Sequence, residues 1–151
     1  MGMLKKYRFG FDIWALLLFL AIMIPNFIWF AVPAPNDILR ADSITEGLDM
    51  VASIFQTLTI GSLCVLVNRE CKKIGITPFI AGVFLCCLLY FASWAAYYLG
   101  TTNAVVVLGL TIPPCLAFLL FAIDRKNGIA VISAAIFAVC HLVYGAVNFI
   151  I

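Results

Sequence analysis

The chain is 151 residues long with a formal net charge of +2, and 66% of it is hydrophobic while only 11% is charged. Soluble domains are about half apolar and about a quarter charged, and a core formed by so short a chain cannot hide this much apolar surface. The composition argues against a water-soluble fold and makes lipid the expected solvent for most of the residues.

Charged residues gather in a few places and leave four stretches almost free of charge: Ile13 to Asn36, Met50 to Asn68, Ile74 to Ile123 and Gly128 to Ile151. The third is interrupted by Leu99-Gly100-Thr101-Thr102-Asn103 and reads as two passes. At roughly 20 residues per spanning helix, the pattern predicts five transmembrane helices, at about 11–32, 44–67, 77–99, 104–123 and 128–150. The expected fold is all-α, a polytopic membrane helix bundle forming a single domain over 1–151.

The first predicted helix follows Lys5, Lys6 and Arg8 and carries Pro25-Asn26 well before its stop at Pro33-Ala34-Pro35-Asn36-Asp37. Its apolar run exceeds the roughly 7–15 residues of a signal-peptide core, and Pro35 disfavours cleavage after Val32-Pro33-Ala34, so the helix is expected to remain as an anchor. Pro25 has no N–H and strains the carbonyl of Ala21; such a break is tolerated where it is buried in protein or lines a cavity. Ahead of the second helix, Ser43-Ile44-Thr45-Glu46 fits a capping box and predicts a start near Ile44. Ser53, Thr57 and Gly61 in the second helix, Ala92 and Ala96 in the third, and Ala130, Ala134 and Ala138 in the fifth read as seams where helices pack closely. Pro113-Pro114 makes a second break, in the fourth helix. Tyr7, Trp14, Trp29, Tyr97 and Tyr98 fall near the predicted interfaces, as belt residues do; Tyr90, Trp94 and Tyr97 are alternatively the wall of a pocket.

Lys and Arg placement predicts the orientation. Lys5, Lys6, Arg8, Arg69, Lys72, Lys73, Arg125 and Lys126 fall on one side, eight of the nine positive residues, which puts the N-terminus in the cytoplasm and the C-terminus outside a cell membrane. The other side holds Asp37, Asp42, Glu46 and Asp49 against Arg40 alone.

Polar residues inside the spans are few, and their depths coincide. At 1.5 Å of rise per residue, Asn26, Ser93 and His141 lie roughly 20–22 Å up from the basic side, while Gln56 and Thr111 lie about 10 Å in from the acidic side. In a hydrocarbon slab of about 30 Å this is nearly one level, in the outer half. His141 follows Ala134 by seven residues, about 20° around the helix, so it shares the small-residue face, and Tyr144 stands one turn above it. Asn26, Gln56, Ser93, Thr111, His141 and Tyr144 are therefore the candidate ligand-binding residues.

No His-Glu-x-x-His, phosphate-binding glycine loop, Gly-x-Ser-x-Gly or pair of intramembrane carboxylates occurs, so no catalytic set, metal site or cofactor is expected. The six cysteines show no Cys-x-x-Cys spacing and read as small packing residues. The basic residues suit topology and anionic lipid rather than nucleic acid. Length, five passes and aromatic content invite comparison with the translocator-protein family, but its Trp-Pro-Pro-rich first loop and Trp-rich second helix are missing. Pro25-Asn26-Phe27-Ile28-Trp29-Phe30 through Pro35-Asn36-Asp37, with Asp124-Arg125-Lys126-Asn127, resembles small multi-pass bacterial integral membrane proteins, a resemblance that implies no activity.

The expected function is binding or permeation of a small molecule or ion through an outward-facing polar pocket with an acidic mouth that would concentrate cations. The alternative is a non-transporting accessory, sensory or structural subunit whose polar cluster locks its helices together. Expected partners are the bilayer, a small molecule or cation, and a second copy or partner membrane subunit.

Overall fold

The computed structural model describes residues 2–151. Strand β1 (Tyr7–Phe9) precedes helix α1 (Ile13–Ala31); α2 (Glu46–Val65) runs directly into β2 (Leu66–Asn68); then come α3 (Pro78–Tyr98), α4 (Ala104–Asp124) and α5 (Gly128–Phe149). All five helices are long and apolar enough to cross a membrane. Four begin where a polar residue caps an apolar run. Asp12 accepts from the amides of Trp14 and Ala15, Thr77 from Ile80, Asn103 from Val106 and Asn127 from Ala130. Gly100 ends α3 with φ +94°, a left-handed turn that suits glycine.

The predicted capping box does not form. Thr45, not Ser43, stands at the N-cap of α2 without a side-chain cap bond, and the Ser43 hydroxyl turns to the Thr45 amide at 3.1 Å. A long-range partner replaces the local one: Asn148, near the end of α5, accepts from the Ile44 amide at 2.8 Å and donates to the Thr45 hydroxyl at 2.8 Å. Pro25 and Pro113-Pro114 are accommodated inside unbroken helices. Neither helix is divided in two at its prolines, and all three prolines are buried against neighbours.

The extensive interfaces join α3 to α4, α4 to α5 and α5 to α2, and α1 lies against α2, α3 and α4 over smaller contacts. Small residues set the close approaches. Ala130 and Ala134 of α5 are fully buried. A Cβ on Gly109 would lie 2.0 Å from the Ser93 hydroxyl oxygen, and one on Gly145 would lie 3.0 Å from the Thr111 hydroxyl oxygen. Ser53, Thr57 and Gly61 differ from expectation: their stripe faces away from the bundle, as does Ala92.

The end of the bundle that carries most of the basic residues is tied by polar contacts. β1 and β2 pair antiparallel, with Tyr7 opposite Asn68 and Phe9 opposite Leu66. Arg125 donates from Nε to the buried Asp12 carboxylate at 2.7 Å, joining the start of α1 to the end of α4. Asn127, 2% exposed, donates to the carbonyls of Ser62 and Leu66, both at 2.9 Å.

Candidate functional site

A cavity of about 300 Å³ lies between α1 and the four other helices, in the half of the bundle nearer its acidic end. Asn26, Gln56, Thr111, His141 and Tyr144 all line it. Ser93 does not: its hydroxyl donates to the Leu89 carbonyl at 2.8 Å, and the side chain sits against Gly109 at the α3–α4 crossing. Depth along a helix places Ser93 at the common level, but its direction around α3 takes it elsewhere.

Two groups converge on the helix turn before Pro25. Asn26 donates from Nδ2 to the Ile22 carbonyl at 3.0 Å and to the Tyr90 hydroxyl at 2.8 Å, and Tyr90 in turn donates to the same carbonyl at 3.1 Å. The satisfied acceptor is Ile22, not the Ala21 carbonyl that the proline itself deprives. This network pins α1 to α3 and uses the Asn26 amide nitrogen while its Oδ1 makes no hydrogen bond among the described residues.

Across the cavity the polar groups have open valences. The His141 ring stacks between Phe137, with centroids 5.2 Å apart, and Tyr144, at 6.0 Å. Neither imidazole nitrogen, nor the Gln56 amide, nor the Tyr144 hydroxyl forms a hydrogen bond among the described residues. Thr111 differs, since its hydroxyl donates to the Val107 carbonyl at 2.6 Å and faces Gly145. The indole N–H of Trp94, a lining residue 6% exposed, is buried without an acceptor among the described residues. Unpaired polar groups in an apolar surrounding are costly, so each is a position where an occupant gains by bonding.

The connection between α1 and α2 folds over the acidic end of the cavity, and Leu39 from it is a lining residue. Asp37 holds this connection in place. Its Oδ1 accepts from Trp29 Nε1 at 2.9 Å and from the Tyr97 hydroxyl at 2.8 Å, and its Oδ2 accepts from Arg40 Nε at 2.7 Å and the Ala34 amide at 3.4 Å. Arg40 also donates to the Trp29 carbonyl and stacks over the Trp29 ring, 4.6 Å from its centroid. The Leu39 amide donates to the Tyr97 hydroxyl at 3.2 Å. Burial raises the Asp37 pKa, but the bonds from Trp29, Tyr97, Arg40 and Ala34 together outweigh it and hold the carboxyl below its ordinary value.

Asp37 is thus an internal fastener rather than part of an open acidic mouth. The belt reading also changes: Tyr97 is fully buried, and Trp29 with Tyr90 and Trp94 walls the cavity. Sequence reasoning missed Asp37, Arg40 and Trp29 as one cluster; the signal was present, an aromatic in the last turn of the helix followed by an acid and a base three residues apart. Comparison with family models, with curated proteins and with solved structures finds no match.

Proposed function

We propose that the chain is a multi-pass membrane protein that binds a small molecule in this cavity, with its N-terminus in the cytoplasm and its C-terminus outside. The observation that carries the reading is a cavity of about 300 Å³ in which Asn26, Gln56, His141 and Tyr144 present unpaired polar atoms. Polar side chains inside a membrane span are costly and need partners, and a bound molecule that takes the place of cavity water can supply them. Toward the basic end the bundle is filled by a core that includes Leu63, Phe121, Ala122 and Ala130. This favours binding with entry and release near the acidic end over a continuous pore.

The orientation rests on the positive-inside bias of Lys and Arg. With a reporter fused after Ile151 in a bacterial inner membrane, alkaline phosphatase is expected to be active and green fluorescent protein dark; the reverse pattern overturns the assignment.

Binding is tested with His141→Ala and Asn26→Ala made separately. A library of water-soluble fragments of about ten non-hydrogen atoms, followed by saturation-transfer NMR in nanodiscs, is expected to yield hits whose affinity falls about tenfold in each variant, or about 1.4 kcal/mol. If both variants keep the parent's hits and lose only thermal stability, the polar cluster locks helices and the binding reading is wrong. The accessory-subunit reading would then gain from the outward-facing Ser53, Thr57 and Gly61, which let a second helix approach closely.

A further inference from the structure

Resting on the reading of this cavity as a ligand site, we infer that its occupant is an uncharged aromatic amphiphile of on the order of ten non-hydrogen atoms, with one carboxamide or hydroxyl group. The size follows from a volume of about 300 Å³ at roughly 30 Å³ for each water-sized atom.

The cavity has two chemically different ends. Trp29 of α1 with Tyr90 and Trp94 of α3 forms an aromatic wall. Gln56 of α2 with His141 and Tyr144 of α5 supplies the polar lining from the α2–α5 flank, beside Phe137 and Phe149. Because neither α2 nor α5 packs extensively on α3, a molecule that touches both groups has a flat apolar body and a polar head. Trp94 meets Tyr90 and Tyr97 edge to face, at 82° and 90°, so the wall is a packed aromatic cluster of the kind that favours a ring as its neighbour.

Charge is disfavoured in both senses. Among the described residues no Lys, Arg, Asp or Glu lines the cavity, so an ion would leave water without a counter-charge. A cation would gain from the ring faces of the wall, but one face of Trp29 is already taken by the Arg40 guanidinium, 4.6 Å from the ring centroid. An anion would face the negative ring surfaces of the aromatic wall, and Arg40 cannot compensate because Asp37 holds it at 2.7 Å. A carboxamide or hydroxyl group both donates and accepts, as the Gln56 amide and Tyr144 hydroxyl require.

The test uses three probes of similar size on the full chain in nanodiscs, with empty nanodiscs as the partition control: benzamide, benzoate and benzyltrimethylammonium. Saturation-transfer NMR is expected to show saturable benzamide binding at least tenfold tighter than either ion, and a loss of about tenfold in Gln56→Leu and in His141→Phe. The phenylalanine keeps the stack between Phe137 and Tyr144, and a preserved thermal midpoint shows that the variant is folded. Tighter binding of either ion overturns the uncharged assignment and leaves the ligand site standing. Benzamide binding that is unchanged in both variants overturns the proposed polar end. Saturable binding of none of the three overturns both the inference and the reading beneath it.

Discussion

Replacing Arg125 by alanine is expected to destabilise the bundle by about 3–5 kcal/mol, the cost of leaving a buried charge without its partner. Asp12 is 6% exposed and receives Arg125 Nε at 2.7 Å while also capping α1. Removing the guanidinium leaves the carboxylate with amide donors alone. Because α1 packs more sparsely than the other helices, this pair is a main tether of α1 at the basic end. Adding Asp12→Asn to Arg125→Ala should recover part of the loss, since asparagine still caps the helix and no buried charge remains. Thermal unfolding in detergent measures both variants. A shift for Arg125→Ala no larger than for a surface substitution, about 0.5 kcal/mol, would show that the pair does not hold α1.

Helix positions were legible because lipid imposes a simple requirement: a run of about 20 apolar residues between polar stops. The observed helices start and end within two residues of the predicted bounds. What escaped were contacts between distant polar residues at the helix ends. Strands of three residues, such as Tyr7–Phe9 and Leu66–Asn68, carry no periodicity to read. Asn68 and Asn127 look like ordinary loop residues until the fold brings Lys126, Ser62 and Leu66 beside them, and Asp12 shows no partner until Arg125 reaches it. Ser43 to Glu46 failed for the opposite reason, a sound local motif displaced by Asn148 from 104 residues away in the chain.

For the cavity, depth was readable and direction was not. Rise per residue puts Asn26, Gln56, Thr111 and His141 at one level without any knowledge of packing. Around each helix, the side that faces inward depends on neighbours. On α5 the stripe Ala130 and Ala134 revealed that side, and Tyr144 followed from it. On α3 the small residues misled, because Ala92 faces outward while the bulky Tyr90, Trp94 and Tyr97 face in. Ser93, one position before Trp94, is turned toward Gly109 for that reason. An aromatic face at positions 90, 94 and 97 was the better guide on that helix, with spacings of four and three.

Asp37→Ala is expected to cost about 3 kcal/mol, since a hydrogen bond to a charged group contributes about 1.5–3 kcal/mol and the losses of four donors are not additive. The change frees Arg40, leaves the indole N–H of Trp29 and the Tyr97 hydroxyl without their acceptor, and releases the connection that carries Leu39 over the cavity. On the proposed reading of the cavity as a ligand site, exchange should therefore quicken as stability falls, a coupling that a deletion remote from the cavity would not produce. The pH dependence has a definite sign. A carboxyl whose folded pKa is depressed contributes fully above its unfolded value of about 3.9 and loses that contribution as pH falls through the folded value. The thermal midpoint of the parent should consequently be insensitive to Asp37 from pH 7 to about 5 and fall below about pH 4. Asp37→Asn keeps an acceptor for Trp29 and Tyr97 but sets an amide against Arg40, so it should be less stable at pH 7 and show a shallower decline in acid. Equal acid slopes for the parent and Asp37→Asn would mean that another carboxylate governs the transition, and that the Asp37 cluster is not what acid releases first.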